Sequence, residues 1–326
     1  MASRRIIGRV LAAGTVFSTC TYLGGGSDNF STLCRGASTY SGGLFAWGNA
    51  QYGQLGLGLN NDQMLPNQVQ LDENITLKQI SAGGENVVAV DTKGQVYTWG
   101  RGLNKVLGLG DDSSSSSPQL VFGLADQRIN QVSASSTHVL ALDAQGVVYS
   151  WGNRALGYTG DGLFPEPITT LPSNITSIAA GKNHSLAMDQ DGKVYSWGAG
   201  YEGALGLNSN KSLTKPTLIH ALQDTPISQI VAGSGFSLFL SKSGQVYSCG
   251  ANDYGQTAQG NGAQRYLRVL HFFFSFLFPA NNQNLKLTKK SKKNLFKTCT
   301  CTITSLFISL IFSCFIDIFT YVCVFI

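Results

Sequence analysis

Five copies of one short phrase constrain this chain more than anything else in it. They are Leu44–Gly48, Val96–Gly100, Val148–Gly152, Val194–Gly198 and Val246–Gly250, reading LFAWG, VYTWG, VYSWG, VYSWG and VYSCG. Trp47, Trp99, Trp151 and Trp197 hold one slot and Cys249 the fifth, at steps of 52, 52, 46 and 52 residues. A period near 50 means that each copy is one supersecondary unit, stable only when stacked on its neighbours. The phrase alternates like a half-buried strand, Val96 and Thr98 on one side and Tyr97 and Trp99 on the other. Its β-branched and aromatic residues favour a pleated surface, and the closing Gly48, Gly100, Gly152, Gly198 and Gly250 suit turns.

Two further strands precede each phrase. One begins near Ile80, Val132, Ile178 and Val231; the next is an apolar run such as His138–Leu142 or His184–Met188. A tight turn joins that run to the phrase, as in Asp91–Gly94, Asp143–Gly146, Asp189–Gly192 and Ser241–Gly244, with Gly where a hairpin needs positive φ. A Gly-rich strip follows, Tyr52–Gly56 or Glu202–Gly206. Several short strands per unit without helical periodicity predict an all-β chain, a partial β-propeller of four to five blades.

The units resemble the regulator-of-chromosome-condensation repeat. The resemblance rests on Ala180-Gly181, His184-Ser185, the Asp-Gly turn at 191–192, Val194–Gly198 and the Gly-Gln-Leu-Gly strip at 53–56, and it covers residues 41–265. It implies a seven-bladed ring, so five units leave sheet faces open. It also implies binding of proteins through blade loops, with no cofactor. Mitochondrial members of the family support assembly of respiratory complexes or the mitochondrial ribosome, and the founding nuclear member is a guanine-nucleotide exchange factor for a small GTPase. A respiratory assembly intermediate and a small GTPase are therefore the partners implied, and a nonfunctional truncated product is a third outcome.

Charge is unevenly placed. The net charge is +5, but residues 41–262 carry 11 basic and 16 acidic side chains, and the excess of positive charge lies at the two ends. A mildly acidic body attracts phosphate backbone weakly, so no nucleic-acid partner is expected. Only Cys249 among seven cysteines lies in the repeats, which excludes a disulfide scaffold. Cys299-Thr-Cys301 has no second pair for zinc.

The ends differ from the body. Residues 1–35 hold Arg4, Arg5 and Arg9 with no acid before Asp28, and Ile6, Ile7, Val10 and Leu11 share one helical side. That composition predicts a mitochondrial transit segment, with a secretory signal or a plain basic start as the other readings. Residues 266–326 break with the repeats. Within them 302–326 carry one charge, Asp317, and are long enough to span a bilayer behind the basic tract at 289–293. Read as protein, this is a membrane anchor and points to the mitochondrial inner membrane; read as AT-rich non-coding DNA in translation, it is an artefact of the gene structure.

Candidate chemistry is sparse. His138 and His184-Ser185 invite a Ser–His–Asp triad with Asp143 or Asp189, yet both histidines fill one repeat position, where other copies have Asn86 and Phe236. Such a position is expected to be structural, its imidazole bonded to a neighbouring loop. Gly198–Gly203 matches GxGxxG without a helix behind it. Ser113–Ser117 is expected to be an inserted loop. Cys249 is expected to fill its tryptophan slot less well than Trp, marking a weaker terminal blade.

Overall fold

The computed structural model describes residues 43–153 and 161–258, together with the backbones of strands 268–270 and 322–325. The predicted transit segment and most of the 266–326 tail lie outside the described residues.

Among the described residues all regular structure is extended, apart from single 3-10 turns. Four sheets have four antiparallel strands each. The second blade comprises β3 (Leu77–Gly83), β4 (Asn86–Asp91), β5 (Val96–Gly100) and β6 (Ser115–Leu120). The third comprises β7 (Ile129–Ala134), β8 (His138–Asp143), β9 (Val148–Gly152) and β10 (Glu166–Pro167). The fourth comprises β11 (Ile175–Ala180), β12 (His184–Asp189), β13 (Val194–Gly198) and β14 (Leu213–Leu218). The fifth comprises β15 (Ile227–Ala232), β16 (Phe236–Ser241), β17 (Val246–Gly250) and β18 (Arg268–Leu270). In the first sheet, β1 (Phe45–Gly48) lies between β2 (Gln63–Gln68) and β19 (Val322–Phe325).

The first strands of successive blades, β3, β7, β11 and β15, touch one another and so line the axis. Four of the five outer strands carry a proline, at Pro66, Pro118, Pro167 and Pro216, and β18 does not. Proline lacks the N–H that would template another strand, so it blunts the edge. The shortest outer strand, β10, falls in the unit whose Trp-to-Trp step is 46 residues rather than 52.

The structure departs from the sequence reading at several points. The phrase strands of the second to fifth blades are buried on both faces, not half-buried: all five residues of β5 are buried, and four of five in β9, β13 and β17. Blade stacking covers the second face. Ser115–Ser117 are not an inserted loop but the start of β6, paired from Ser115 to Gly100. The fifth blade's outer strand, Arg268–Leu270, lies beyond residue 265. Val322–Phe325, the end of the 302–326 apolar stretch, form a strand on β1 with Cys323 opposite Trp47. Among the described residues no helix is long and apolar enough to cross a membrane.

Candidate interaction surface and the joints between blades

Each phrase ends in a positive-φ glycine, and in three of the five the pairing bulges there. Gly48, Gly100, Gly152, Gly198 and Gly250 have φ of 110°, 98°, 107°, 100° and 106°, a region that L side chains avoid. A Cβ on Gly152 would also meet the Thr137 carbonyl oxygen at 2.7 Å. The glycine aims the next amide back at the sheet: Arg101, Asn153, Ala199 and Ala251 N–H donate to the carbonyls of Glu85, Thr137, Asn183 and Gly235 at 2.7–2.8 Å. Pairing with the outer strand accordingly slips two residues at Ala46/Gly48, Thr98/Gly100 and Ser196/Gly198, two steps along the phrase facing four on its partner.

The tryptophans are joints between units. Trp99 Nε1–H donates to the Gln54 carbonyl at 3.1 Å, and Trp151 Nε1–H to the Val106 carbonyl at 2.8 Å, each 45 residues upstream in the preceding strip. Gly56 and Gly108 lie flat on those indoles, where a Cβ would come within 2.9 Å of Nε1. Trp99, Trp151 and Trp197 are at most 1% exposed, whereas Trp47, in the first sheet, is half-buried. Cys249 keeps the relation: its Sγ–H points to the Ala204 carbonyl at 3.5 Å, again 45 residues upstream. Burial pushes this thiol up to about 12, so it stays protonated and is no nucleophile at neutral pH.

Cys249 does not leave its slot underfilled. The residue two along on the same face, opposite the phrase tyrosine, is Ala89, Ala141 or Ala187 in the Trp blades and Phe239 in the fifth. Phe239 is fully buried in one cluster with Cys249 and Ile219. Volume lost at one position is returned at its neighbour, which corrects the expectation of a weaker terminal slot.

The two histidines bond across blades to strand hydroxyls, and His138 Nδ1 also lies 3.0 Å from Ser135 Oγ in the loop of its own blade. His138 Nε2 lies 2.8 Å from Ser185 Oγ in the next blade, and His184 Nε2 lies 2.8 Å from Ser237 Oγ in the one after. Ser237 gives its only proton to the Ala204 carbonyl at 2.7 Å, so His184 must be the Nε2–H tautomer. Residue identity follows the partner. Histidine occurs where the next blade offers Ser185 or Ser237; where it offers Val139, the position is Asn86, whose Nδ2–H donates to the Ser135 carbonyl at 2.8 Å.

Glutamine and serine lace the axis-lining strands. Gln79 Nε2–H donates to the Val132 carbonyl at 3.1 Å while its Oε1 accepts from Val132 N–H at 2.9 Å. Gln131 does the same to Ile178 at 3.2 and 3.1 Å. Ser81 Oγ accepts from Ala134 N–H at 3.0 Å, and Ser133 Oγ from Ala180 N–H at 2.9 Å. Sequence reasoning passed over these residues, although Gln recurs before Ile or Val at 79, 131 and 229.

No triad assembles. Asp143 lies at the far end of β8 from His138, about 16 Å away at strand rise, and its Oδ1 accepts from Gln145 and Val147 N–H in the hairpin turn at 2.9 and 2.8 Å. Asp189 does the same for Asp191 and Lys193 N–H. His138, His184, Ser185 and Ser237 are at most 1% exposed, so no substrate reaches them. Gly198–Gly203 ends in a single 3-10 turn, not a helix. Among the described residues no group of three or more His, Cys, Asp and Glu side chains could hold a metal ion.

Burial lowers the His138 pKa to about 3, with a smaller push from His184, and the His184 pKa to about 4. Both folded values lie below the unfolded value near 6.5, so the unfolded chain binds more protons between them. The contribution of neutral imidazole is complete above pH 6.5 and drains away as pH falls towards 3–4, at about 1.4 kcal/mol per pH unit for each histidine. Urea midpoints are therefore expected to drop between pH 7 and pH 4.

Blades stacked about an axis, each locked to the next by its phrase residue and inner strand, define a repeat β-propeller protein. The chain belongs to the regulator of chromosome condensation (RCC1) repeat family, whose model matches residues 41–90, 93–142, 145–188 and 191–240, with a second model of the same repeat at 227–256. Each matched unit straddles two blades: 93–142 contains the outer strands β5 and β6 of one and the inner strands β7 and β8 of the next. The chain is 30% identical over 224 residues to the ultraviolet-B receptor UVR8 of Arabidopsis thaliana, covering 67% of this chain and 51% of that one. It is 31% identical over 236 residues to the mitochondrial RCC1 domain-containing protein RUG3 of the same plant, covering 69% and 53%. It thus spans about half the length of these relatives. Human WBSCR16 shares the fold at a TM-score of 0.63 and 22% identity, over 71% of this chain and 63% of that one.

Proposed function

We propose that this chain is a non-catalytic propeller scaffold that binds protein partners through its blade-connecting loops, in mitochondria, where it supports assembly of a respiratory-chain or ribosomal complex. The observation that carries the proposal is how the polar repeat residues are used. His138, His184, Ser185, Ser237, Gln79 and Gln131 are committed to joints between blades. What remains for recognition is the loops and turns, where Leu103, Phe122, Phe164 and Tyr201 are 49–78% exposed. Large exposed apolar side chains at loop tips suit protein contacts.

The mitochondrial part rests on the acid-free, Arg-rich start of the chain and on the likeness to RUG3. Residues 1–40 fused to a fluorescent protein are expected to carry it into mitochondria, protected from added protease, and the full chain to follow. Accumulation of the full chain in the nucleus would overturn that placement and favour the exchange-factor alternative.

A further inference from the structure

Within the chain, one level of the joint between the first and second units is the seating of a Gly-rich strip on the outer strand of the next blade. In the first unit Gly53 packs so closely on Ser116 that a Cβ there would lie 2.8 Å from Ser116 Cβ. Gly58 N–H donates to the Ser116 carbonyl at 2.7 Å. The Arg101 guanidinium, paired with Glu85 at 2.6 Å, lies 4.4 Å from the centre of the Tyr52 ring. Strip and strand thus meet by backbone contact and a hydrogen bond, with Tyr52 stacked beside them on Arg101, just past the end of β5.

The same two halves recur, exposed, at opposite ends of the described chain. Ser115 pairs with Gly100 in the second blade, and Gln63 pairs with Gly48 in the first sheet. Met64 and Leu65 therefore occupy the places of Ser116 and Ser117. They are 77% and 68% exposed, apolar side chains on a strand whose counterpart is covered by a strip. At the other end the fifth unit's strip, 254–258, matches 52–56. Tyr254, the counterpart of Tyr52, is 83% exposed, and no described atom lies within 4 Å of where a Gly255 Cβ would stand.

We propose that the chain self-associates head to tail, the 254–258 strip of one copy seating on the Met64–Leu65 edge of another. The occupant is a second copy because the surfaces are complementary halves of a joint this chain already makes within itself. The Gly255 backbone then lies on Met64 as that of Gly53 lies on Ser116, and the seated strip removes apolar side chain from water. The contact is heterologous, so every copy that binds through its tail still offers a head, and assembly runs to chains or closes into rings.

Light scattering of the size-fractionated full chain over a wide concentration range tests this. The wild type is expected to grow in mass beyond a dimer. A head variant, Met64→Asp with Leu65→Asp, and a tail variant, Tyr254→Asp, are each expected to associate at least about tenfold more weakly. Mixed together they are expected to form a dimer that grows no further, because only one intact head and one intact tail remain. A wild type that stays monomeric, variants that associate as the wild type does, or a mixture that stays monomeric would each overturn the proposal. Unchanged melting of each variant checks that it folds; if an aspartate variant does not, Leu65→Ser and Tyr254→Ser serve in its place.

Discussion

Replacing Phe239 by alanine is expected to destabilise the chain by about 3–5 kcal/mol, the cost of emptying a fully buried aromatic site. The fifth blade has cysteine where its neighbours have tryptophan and phenylalanine where they have alanine. Introducing tryptophan alone, as Cys249→Trp, overfills a packed slot and is expected to cost about 1–3 kcal/mol. The two changes together rebuild the arrangement of the other blades, Trp151 with Ala141 or Trp99 with Ala89. The double variant is therefore expected to be more stable than Phe239→Ala alone, with a coupling of at least about 1 kcal/mol between the sites. Urea unfolding of the four proteins measures this. Additive costs would mean that Phe239 and Cys249 do not share one volume.

Trp151→Ala is expected to cost a similar amount, about 3–5 kcal/mol, for a different combination of reasons. The indole is fully buried, its ring carries Gly108, and its N–H satisfies the Val106 carbonyl of the preceding strip. Truncation opens a cavity and leaves that carbonyl unpaired. Trp151→Phe separates the terms: it keeps most of the ring and loses the hydrogen bond, with an expected cost of about 1–3 kcal/mol. The damage is expected at the joint, so hydrogen exchange should quicken in the strip around Val106 as well as in β9. Exchange confined to β9 would show that the strip is held by other contacts.

The Trp-Gly phrase made the architecture legible because it repeats. Strand order, the positive-φ glycines and the aspartate turns all follow from aligning the copies. The joints were not legible in the same way, since a bond from Gln79 to Val132 or from His138 to Ser185 requires knowing which strands face each other. Ser113–Ser117 misled because polar residues read as loop, whereas an outer strand is exposed along one edge and tolerates serine. The compensation of Cys249 by Phe239 was present in the alignment of copies, but only paired registers show that the two share a face. Histidine beside serine resembled a catalytic pair. Once the serines are seen to belong to the following blade, with the aspartates tied into hairpin turns, the residues read as fasteners.

His138 and His184 are neutral, buried fasteners between blades rather than parts of an active site. Urea unfolding of the wild type at pH 7 and pH 4 tests it against a variant in which each joint takes the form of the second blade's, His138→Asn with Ser185→Val and His184→Asn with Ser237→Val. The wild type is expected to lose several kcal/mol of stability between the two pH values, at about 1.4 kcal/mol per histidine per pH unit below 6.5, and the variant to lose markedly less. Equal losses in the two proteins would contradict the account, because the histidines would then titrate alike folded and unfolded.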